Sequence, residues 1–267
     1  MRAYKALFRI RFTNSLQYRA AAIAGIATNF AWGFMTILAF AAFYRSNPYT
    51  FPMTFQQTVA YVWMTQAFIA MFFLWFYDYS IFADIENGNI SYELVRPMNL
   101  YGRWFTMNAA YRLAVVALRC MPILLVSFII PEPFRLILPT ELWRLGLFFV
   151  SMALSLGIIV SFTMLIYIST FSTISSTGTR VVLGIAAGFL SGEFIPIPFF
   201  PDTLRTLVEL LPFGAMQNMP LLIFSGYLAG EALARGLILQ VFWLVALFLL
   251  GHALMGKALK RVVVQGG

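Results

Sequence analysis

The stretch at residues 81–105 is IFADIENGNISYELVRPMNLYGRWF, and it decides how the rest of the chain is arranged. It separates two long apolar runs: residues 55–77, which include no charged residue, and residues 113–130, whose one charged residue is Arg119. Between these runs it carries three acids and two arginines, namely Asp84, Glu86, Glu93, Arg96 and Arg103. Apolar runs of about 20 residues are long enough to cross a bilayer. The polar stretch therefore predicts a connection between two membrane spans.

A turn and a short helix are predicted inside this connection. The Asn-Gly pair at 87–88 favours a turn, because glycine adopts positive φ freely and asparagine tolerates it. Asn89 or Ser91 would then cap a helix over residues 90–95, and Pro97 would end it. The two spans would thus be joined by a folded unit.

This short helix has the pattern of a docking surface. Ile90 and Leu94 are four residues apart, which is the spacing of apolar anchors on a helix that binds in a groove. Val95 adds a third apolar side chain, and Arg96 adds a charge. Lipid does not require apolar residues on such a connection, so we expect them to contact a partner protein. The alternative is that they pack on the protein's own spans.

Composition places the chain among integral membrane proteins. Of its 267 residues 61% are hydrophobic and 10% are charged, with a mean hydropathy of +0.83. Soluble domains are closer to half apolar and a quarter charged. The net charge of +8 is then best explained by lysines and arginines held at a cytoplasmic membrane surface, and nucleic acid is not expected as a partner. The single cysteine, Cys120, excludes an intrachain disulfide.

The apolar pattern predicts an all-α polytopic membrane protein that forms one domain over residues 1–267. Residues 1–18 have the period of a basic amphipathic helix lying along a membrane surface. Residues 195–230 contain apolar pieces too short to cross a bilayer, so we expect an outer cap of two short re-entrant helices there. Six transmembrane spans are predicted, at residues 20–43, 55–77, 103–130, 145–169, 181–195 and 236–255.

The distribution of basic residues predicts the orientation. With six spans both termini share one side, and five basic residues fall on the other: Arg45, Arg135, Arg144, Arg205 and Arg235. The side of the termini would hold twelve: Arg2, Lys5, Arg9, Arg11, Arg19, Arg96, Arg103, Arg112, Arg180, Lys257, Lys260 and Arg261. Because basic residues concentrate on the cytoplasmic side, both termini are expected in the cytoplasm.

Four polar residues within the spans are candidates for a substrate path or gate. Arg119 and Glu193 lie where charge is expensive, so they are either functional groups or structural contacts inside the protein. Asn29 and Gln66 are the chief uncharged polar residues of the first two spans, and such residues more often form interhelical hydrogen bonds than bind ligands.

Signatures of catalysis are not convincing in this sequence. Residues 251–258, GHALMGKA, nearly match a phosphate-binding loop, but Ala258 stands where Mg²⁺ would need Ser or Thr, and an apolar helix precedes it instead of a strand. His252 is the only histidine and has no other ligand type at metal-binding spacing. We therefore predict no catalytic residue, no metal site and no ATPase site in this chain.

The layout resembles that of the permease subunit of an ABC-2 type transporter, with its surface helix, six spans, docking helix between spans two and three, and re-entrant cap before span six. SGEFIPIPFFP at 191–201 and LPFGAMQNMPLLIFSG at 211–226 are similar to the cap of a bacterial branch of this family. That branch also has a G-x-I-x-x-x-L-x-R-P segment, whose positions are filled here by Gly88, Ile90, Leu94, Arg96 and Pro97.

The resemblance implies a set of partners. Such a permease works with a second, identical or related permease and with a dimer of cytosolic ABC ATPases, in the cytoplasmic membrane of a bacterium. ATP and Mg²⁺ would be bound by the ATPase, and no cofactor by this chain. Membrane lipid would surround the spans. The interface that couples the two would be Asp84, Glu86, Gly88, Ile90, Tyr92, Glu93, Leu94, Val95, Arg96 and Pro97.

The resemblance leaves the cargo open among drugs, peptides, lipids and glycans, and it implies export. A high aromatic content, 17% of residues, slightly favours an amphipathic or hydrophobic cargo. Two other functions are alternatives, and each predicts a sequence pattern of its own. An ion-coupled secondary transporter would show inverted repeats, and a membrane-embedded transferase would show a cluster of His, Asp and Glu at one membrane face. Neither pattern is clear in the sequence.

Overall fold

The computed structural model describes residues 1–17, 19–46, 51–173 and 176–260, and of residues 19–21 only the backbone. Tyr18 at the end of the predicted surface helix, the side chain of Arg19, and Arg261 with the rest of the tail lie outside the described residues. All regular secondary structure in the described ranges is helical. The α-helices are α1 (Arg2–Ser15), α2 (Arg19–Ser46), α3 (Phe55–Phe72), α4 (Tyr79–Glu86), α5 (Ile90–Leu94), α6 (Leu100–Ile129), α7 (Leu142–Ser169), α8 (Ser176–Leu190), α9 (Asp202–Leu210), α10 (Met219–Phe224) and α11 (Gly230–Leu259).

Helix α3 lies at the centre of the bundle. It begins with a capping box, in which Thr54 Oγ1 accepts a hydrogen bond from Gln57 N at 3.2 Å and Gln57 Oε1 accepts one from Thr54 N at 2.9 Å. Every residue from 58 to 67 is buried. Helices α2 and α6 pack along it, while α11 packs along α7 and α1 along α6. A helix that is buried all round is enclosed by protein.

Four helices are long and apolar enough to cross a membrane among the described residues: α2 from Ala22, α6, α7 with the turn that follows it, and α11. They coincide with the predicted spans at 20–43, 103–130, 145–169 and 236–255. The pair Asp202–Leu210 and Gly214–Phe224, which meet at an angle of 81°, would count as a fifth span if taken together. The described chain is therefore an all-helical polytopic protein with four to five apolar spans.

The two other predicted spans have helices with unusual properties. At 55–77 the helix is α3, which ends at Phe72 and contains Gln56, Gln57 and Gln66. Because α3 is surrounded by protein, it need not be as apolar as a lipid-facing helix. At 181–195 the helix is α8, whose 15 residues extend roughly 22 Å, short of the roughly 30 Å bilayer core.

The chain after α8 leaves the helical path at Gly192, which has φ +83°. Residues 191–229, here called the cap segment, contain α9 and α10, and a π-helical turn at Gly214–Asn218 leads directly into α10. Helix α10 packs against α7 and α3, and all its residues are buried. Two short helices are therefore present where the sequence predicts an outer cap.

Candidate functional site

The segment between α3 and α6, residues 73–99, is here called the connection. Asp78 caps α4, since its Oδ1 accepts hydrogen bonds from Ser80 N at 3.3 Å and from Ser80 Oγ at 2.7 Å. The helix ends at Glu86, and Gly88 follows with φ +73°, in the left-handed region that favours glycine. The turn predicted from the Asn-Gly pair at 87–88 is therefore present.

Helix α5 covers Ile90–Leu94, within one residue of the predicted helix at 90–95. The predicted side-chain cap is wrong, because Asn89 occupies the cap position without a side-chain hydrogen bond and Ser91 Oγ donates to Gly88 O at 3.4 Å instead. Asn89 has φ −69° and ψ −3°, whereas a capping residue is normally extended. The helix is held by its contacts with the bundle.

Ile90 is one of those contacts, and it corrects the predicted pair of docking anchors. Its side chain is 3% exposed and belongs to the main hydrophobic core, so it is not available to a partner. Leu94 is 40% exposed, Val95 is 82% exposed and Tyr92 is 71% exposed. These three residues and Pro97, which is also exposed, are here called the α5 surface.

Glu93 is an acid of the connection that is bound to two arginines. Glu93 forms ion pairs with Arg103, in the first turns of α6, and with Arg96, at 3.5 Å. The side chains of Glu93 and Arg103 are both nearly buried, whereas that of Arg96 is more than half exposed. Glu93 therefore fixes α5 on α6 and leaves Arg96 at the edge of the α5 surface.

A second attachment joins α4 to the beginning of α8. Ser176 N donates a hydrogen bond to Glu86 Oε1 at 3.0 Å, and this bond lowers the pKa of the Glu86 carboxyl. The Arg180 guanidinium lies 4.6 Å from the ring centre of Phe82 and 5.1 Å from that of Tyr79. Asp84, on the same helix, is half-exposed.

A third attachment joins the connection to α1 and α7. Arg11 Nη2 lies 2.5 Å from Asp78 Oδ2, and the Asp78 side chain is 4% exposed. Asp78 N donates to the hydroxyl of Tyr167 at 2.7 Å. On α1, the apolar residues Tyr4, Leu7, Phe8 and Phe12 are half-buried, while Arg2, Lys5 and Arg9 are exposed.

Arg112 has a structural role that the sequence did not predict. Its fully buried guanidinium donates from Nη1 to Phe73 O at 2.8 Å and to Met71 O at 3.1 Å, at the end of α3. It also donates to Asn108 Oδ1 at 2.8 Å and to Thr163 Oγ1 at 3.3 Å. An arginine that donates to the last carbonyls of a helix satisfies groups that the helix leaves open. Arg112 therefore satisfies carbonyls that are left open where α3 ends, before the predicted residue 77.

One signal for this role was in the sequence. Asn108 and Arg112 are four residues apart on an apolar helix, so they lie on one face of it. Asn108 Nδ2 also donates to the Tyr167 hydroxyl at 3.2 Å, so the arrangement reaches Asp78 through Tyr167. The group formed by Arg11, Asp78, Asn108, Arg112 and Tyr167 is here called the buried polar network.

The four candidates for a substrate path lie in three settings. Asn29 Nδ2 donates to Gln66 O at 3.2 Å, as expected for an interhelical contact. Arg119 lies against Gly25 of α2 and 5.6 Å from the ring centre of Phe76, on the same face of α6 as the connection. Glu193 follows the turn at Gly192 in the cap segment and is half-buried. Among the described residues, neither Arg119 nor Glu193 forms an ion pair.

The contacts of the cap segment with α3 and α11 are made by uncharged groups, whereas on α7 Arg144 Nη1 donates to Leu228 O at 2.8 Å. The Tyr61 hydroxyl donates to Gly192 O at 2.9 Å, and Gln217 Nε2 lies 3.3 Å from Thr65 Oγ1. Gln240 Nε2 on α11 donates to Ala215 O at 2.9 Å, inside the π-helical turn. A π-helical turn frees backbone carbonyls, and here a buried amide from another helix satisfies one of them.

These features define a polytopic membrane protein whose connection between α3 and α6 is fixed to four of its helices and also exposes apolar side chains. The family model of the ABC-2 family transporter protein matches residues 30–266. That range is most of the chain, which therefore belongs to the ABC-2 transporter family and is a permease of an ABC transporter. Permeases of this family generally lack an ATPase site of their own and typically work with an ABC ATPase. Neither the search of curated proteins nor that of solved structures found a match.

Proposed function

We propose that this chain is the permease of an ATP-driven exporter and that the α5 surface is where a separate cytosolic ABC ATPase docks. The observation that carries the proposal is the asymmetry of the connection. One side is bound to the bundle through Ile90, Glu93, Glu86 and Asp78. The other side presents Tyr92, Leu94, Val95 and Pro97 to the exterior.

Exposed apolar side chains in a cluster are a recurring mark of an interaction site. Leu94 and Val95 follow each other at the end of α5, with Arg96 beside them. Burying one such side chain contributes roughly 1.5–3 kcal/mol. An apolar groove on the ATPase with an acidic rim would match this surface.

The attachments of the connection supply a route for transmitting movement. Asp78 links it to α1 and α7, Glu93 to α6, and Glu86 to α8. A displacement of α5 by the ATPase would therefore act on several helices together. Closure of an ATPase dimer on ATP binding would in this way be conveyed to the path between two permeases, which are either identical or related chains.

The proposed orientation has both termini in the cytoplasm of a bacterium and the cap segment outside. It is supported by the grouping of α1, the connection and the beginning of α8 at one end of the bundle, where most basic residues fall. Tyr101, at the beginning of α6, packs against His252 near the end of α11, so that the C-terminal part of α11 lies at this same end. The re-entrant placement of α9 and α10 and the six-span count are parts of the same proposal.

An amphipathic or hydrophobic cargo is the class we propose for export. It is supported by a cavity of about 480 Å³ between α2 and the cap segment. Of the described residues that line it, Thr36 is the one with a polar side chain, and the rest are Met35, Ala39, Phe40, Phe43, Phe51, Phe194, Ile195 and Phe199. Pockets of this volume are in the range that binds small molecules.

The docking proposal is tested by a charge placed on the α5 surface. Leu94→Asp should weaken retention of the co-expressed ATPase at least about tenfold, because the carboxylate replaces a buried apolar contact. Asn89→Asp is the matched control, since it adds the same charge to an exposed position of the same connection. Purification through a tag on the permease, with quantification of the ATPase, measures the effect. Parental ATPase stoichiometry in a correctly inserted Leu94→Asp permease would refute the docking site.

A further inference from the structure

A cavity of about 290 Å³ lies between α1, α2, α6 and the beginning of the connection. Its wall is polar on one side and apolar on the other. The polar side comprises Arg11, Asn14, Ser15, Tyr77, Asp78, Tyr111 and Arg119, and the apolar side comprises Ala22, Val115 and Leu118. The proposed docking of an ATPase makes no use of this cavity.

Three hydrogen-bond donors of the wall are buried without a partner among the described residues. They are Arg11 Nε, Arg119 Nε and the hydroxyl of Tyr77, whose residue is 6% exposed. Buried polar groups normally have partners, and an unpaired one costs about 1–3 kcal/mol. The three donors belong to side chains that line the cavity, and a small rotation of each would bring it to an acceptor oxygen of a ligand.

The charges of the wall favour an anion. Among the described residues Asp78 is the one carboxylate of the wall, and the ion pair with Arg11 compensates that charge. Arg119 has no ion pair among the described residues, so the wall retains one uncompensated positive charge. Gly25 provides the room for this guanidinium, because a Cβ at that position would lie 2.5 Å from Arg119 Cζ. Guanidinium groups bind phosphate oxygens with charge-assisted hydrogen bonds.

The apolar side of the cavity distinguishes between sources of phosphate. Ala22 lies at the beginning of the membrane-crossing stretch of α2. Val115 and Leu118 lie on α6, which is another apolar span. A headgroup among the arginines would therefore leave its acyl chains beside apolar helices. The exposed basic residues of α1 would attract an anionic membrane surface to the same end of the protein.

We propose that this cavity binds the phosphate headgroup of an anionic phospholipid, with Arg119 as its cation and Arg11 and Tyr77 as further donors. The lipid would join α1 to α2 and α6. Free phosphate esters share the headgroup chemistry but have no acyl chains to occupy the apolar side.

The test uses the purified full-length permease and its assembled complex in detergent. Phosphatidylglycerol, phosphatidylcholine, glycerol phosphate and inorganic phosphate are added separately, and bound lipid is counted by native mass spectrometry, with the shift in thermal midpoint as a second measurement. We expect retention and stabilisation by phosphatidylglycerol only. Arg119→Gln should weaken its binding about tenfold, since one charged donor is lost. Arg45→Gln removes an exposed charge from the other end of α2, outside the cavity, and should bind like the parent.

Tyr77→Phe protects the test against a folding failure of Arg119→Gln. It removes one hydroxyl that has no protein partner, so it should fold and lose several-fold in phosphatidylglycerol affinity. If Tyr77→Phe and Arg119→Gln both bind phosphatidylglycerol as the parent does, the site is refuted. Equal stabilisation by glycerol phosphate or inorganic phosphate would assign the cavity to a free anion and overturn the lipid. Because ATPase retention is measured separately, this result does not depend on the docking experiment.

Discussion

The two ends of the bundle hold their helices together with different kinds of polar contact. At the connection end the contacts involve charge: Arg11 with Asp78, Arg103 with Glu93, and Arg112 with the final carbonyls of α3. At the end of the cap segment the contacts with α3 and α11 are between neutral groups: Tyr61 with Gly192, Gln217 with Thr65, and Gln240 with Ala215. On α7, by contrast, Arg144 Nη1 donates to Leu228 O at 2.8 Å.

This difference matters because the two kinds of contact respond differently to movement. Charge interactions fall off as the reciprocal of distance, so they persist when helices shift by an ångström or two. A neutral hydrogen bond is lost beyond about 3.5 Å. The ion pairs of the connection end are therefore suited to persist while this end moves, and the neutral contacts of the cap segment with α3 and α11 are suited to keep one arrangement. Three substitutions test this contrast.

The largest effect is expected at Arg112. Arg112→Met would leave the carbonyls of Met71 and Phe73 and the side chain of Asn108 without their donor, and breaking such a buried charged contact costs about 3–5 kcal/mol. Denaturant titration of the purified permease should show this loss in the free energy of unfolding. Arg9→Met, at an exposed position of α1, is the control and should be close to neutral. If Arg112→Met is as stable as the parent, the buried polar network does not stabilise this end of the bundle.

A smaller loss is expected at Gln240. Its Nε2 donates hydrogen bonds to Ala215 O and Ser155 Oγ, both at 2.9 Å, and its Oε1 accepts one from Ser151 Oγ at 2.8 Å. Hydrogen bonds between membrane helices contribute on average about 0.6 kcal/mol each, so Gln240→Leu should cost about 1–2 kcal/mol. The same titration compares it with Arg112→Met. A larger loss for Gln240→Leu would reverse the contrast between the two ends.

The smallest effect concerns Glu86 and pH. Because the bond from Ser176 N lowers the Glu86 pKa, the ionised carboxylate adds stability above the ordinary glutamate pKa of about 4.3. That contribution is lost as pH falls through the lowered pKa. The thermal midpoint of the parent should therefore exceed that of Glu86→Gln slightly at pH 7, and the difference should shrink toward pH 3. A difference that grows at low pH would contradict the assignment.

The sequence predicted this architecture best where the signal is local. The turn at residues 87–88, the short helix after it and the four long apolar helices follow from neighbouring residues and from hydropathy. The membership in the ABC-2 family, inferred from five positions of the connection and from the layout, is confirmed by the family model.

What the sequence did not predict depends on partners distant along the chain. A helix of five residues is too short for its period to show which side is buried. The pattern therefore predicted the same exposure for Ile90 and Leu94. The sequence predicted Arg112 only as one of twelve basic residues on the side of the termini. Its structural role could not be predicted, because the carbonyls that it satisfies belong to residues about 40 positions earlier. Likewise the cavity beside Arg119 is formed by α1, α2, α6 and the connection together.

The enclosure of α3 also separates the permease into an insulated part and a part that meets the bilayer. Of the apolar, membrane-crossing stretch of each helix, only 22% is buried within the protein in α2 and 17% in α11. Helix α3, in contrast, is surrounded by protein. Hydrophobic mismatch acts on helices that touch lipid, by tilting them or by deforming the bilayer around them. A change in membrane thickness would therefore be absorbed by α2 and α11, while α3 and the Arg112 contacts at its end keep their geometry.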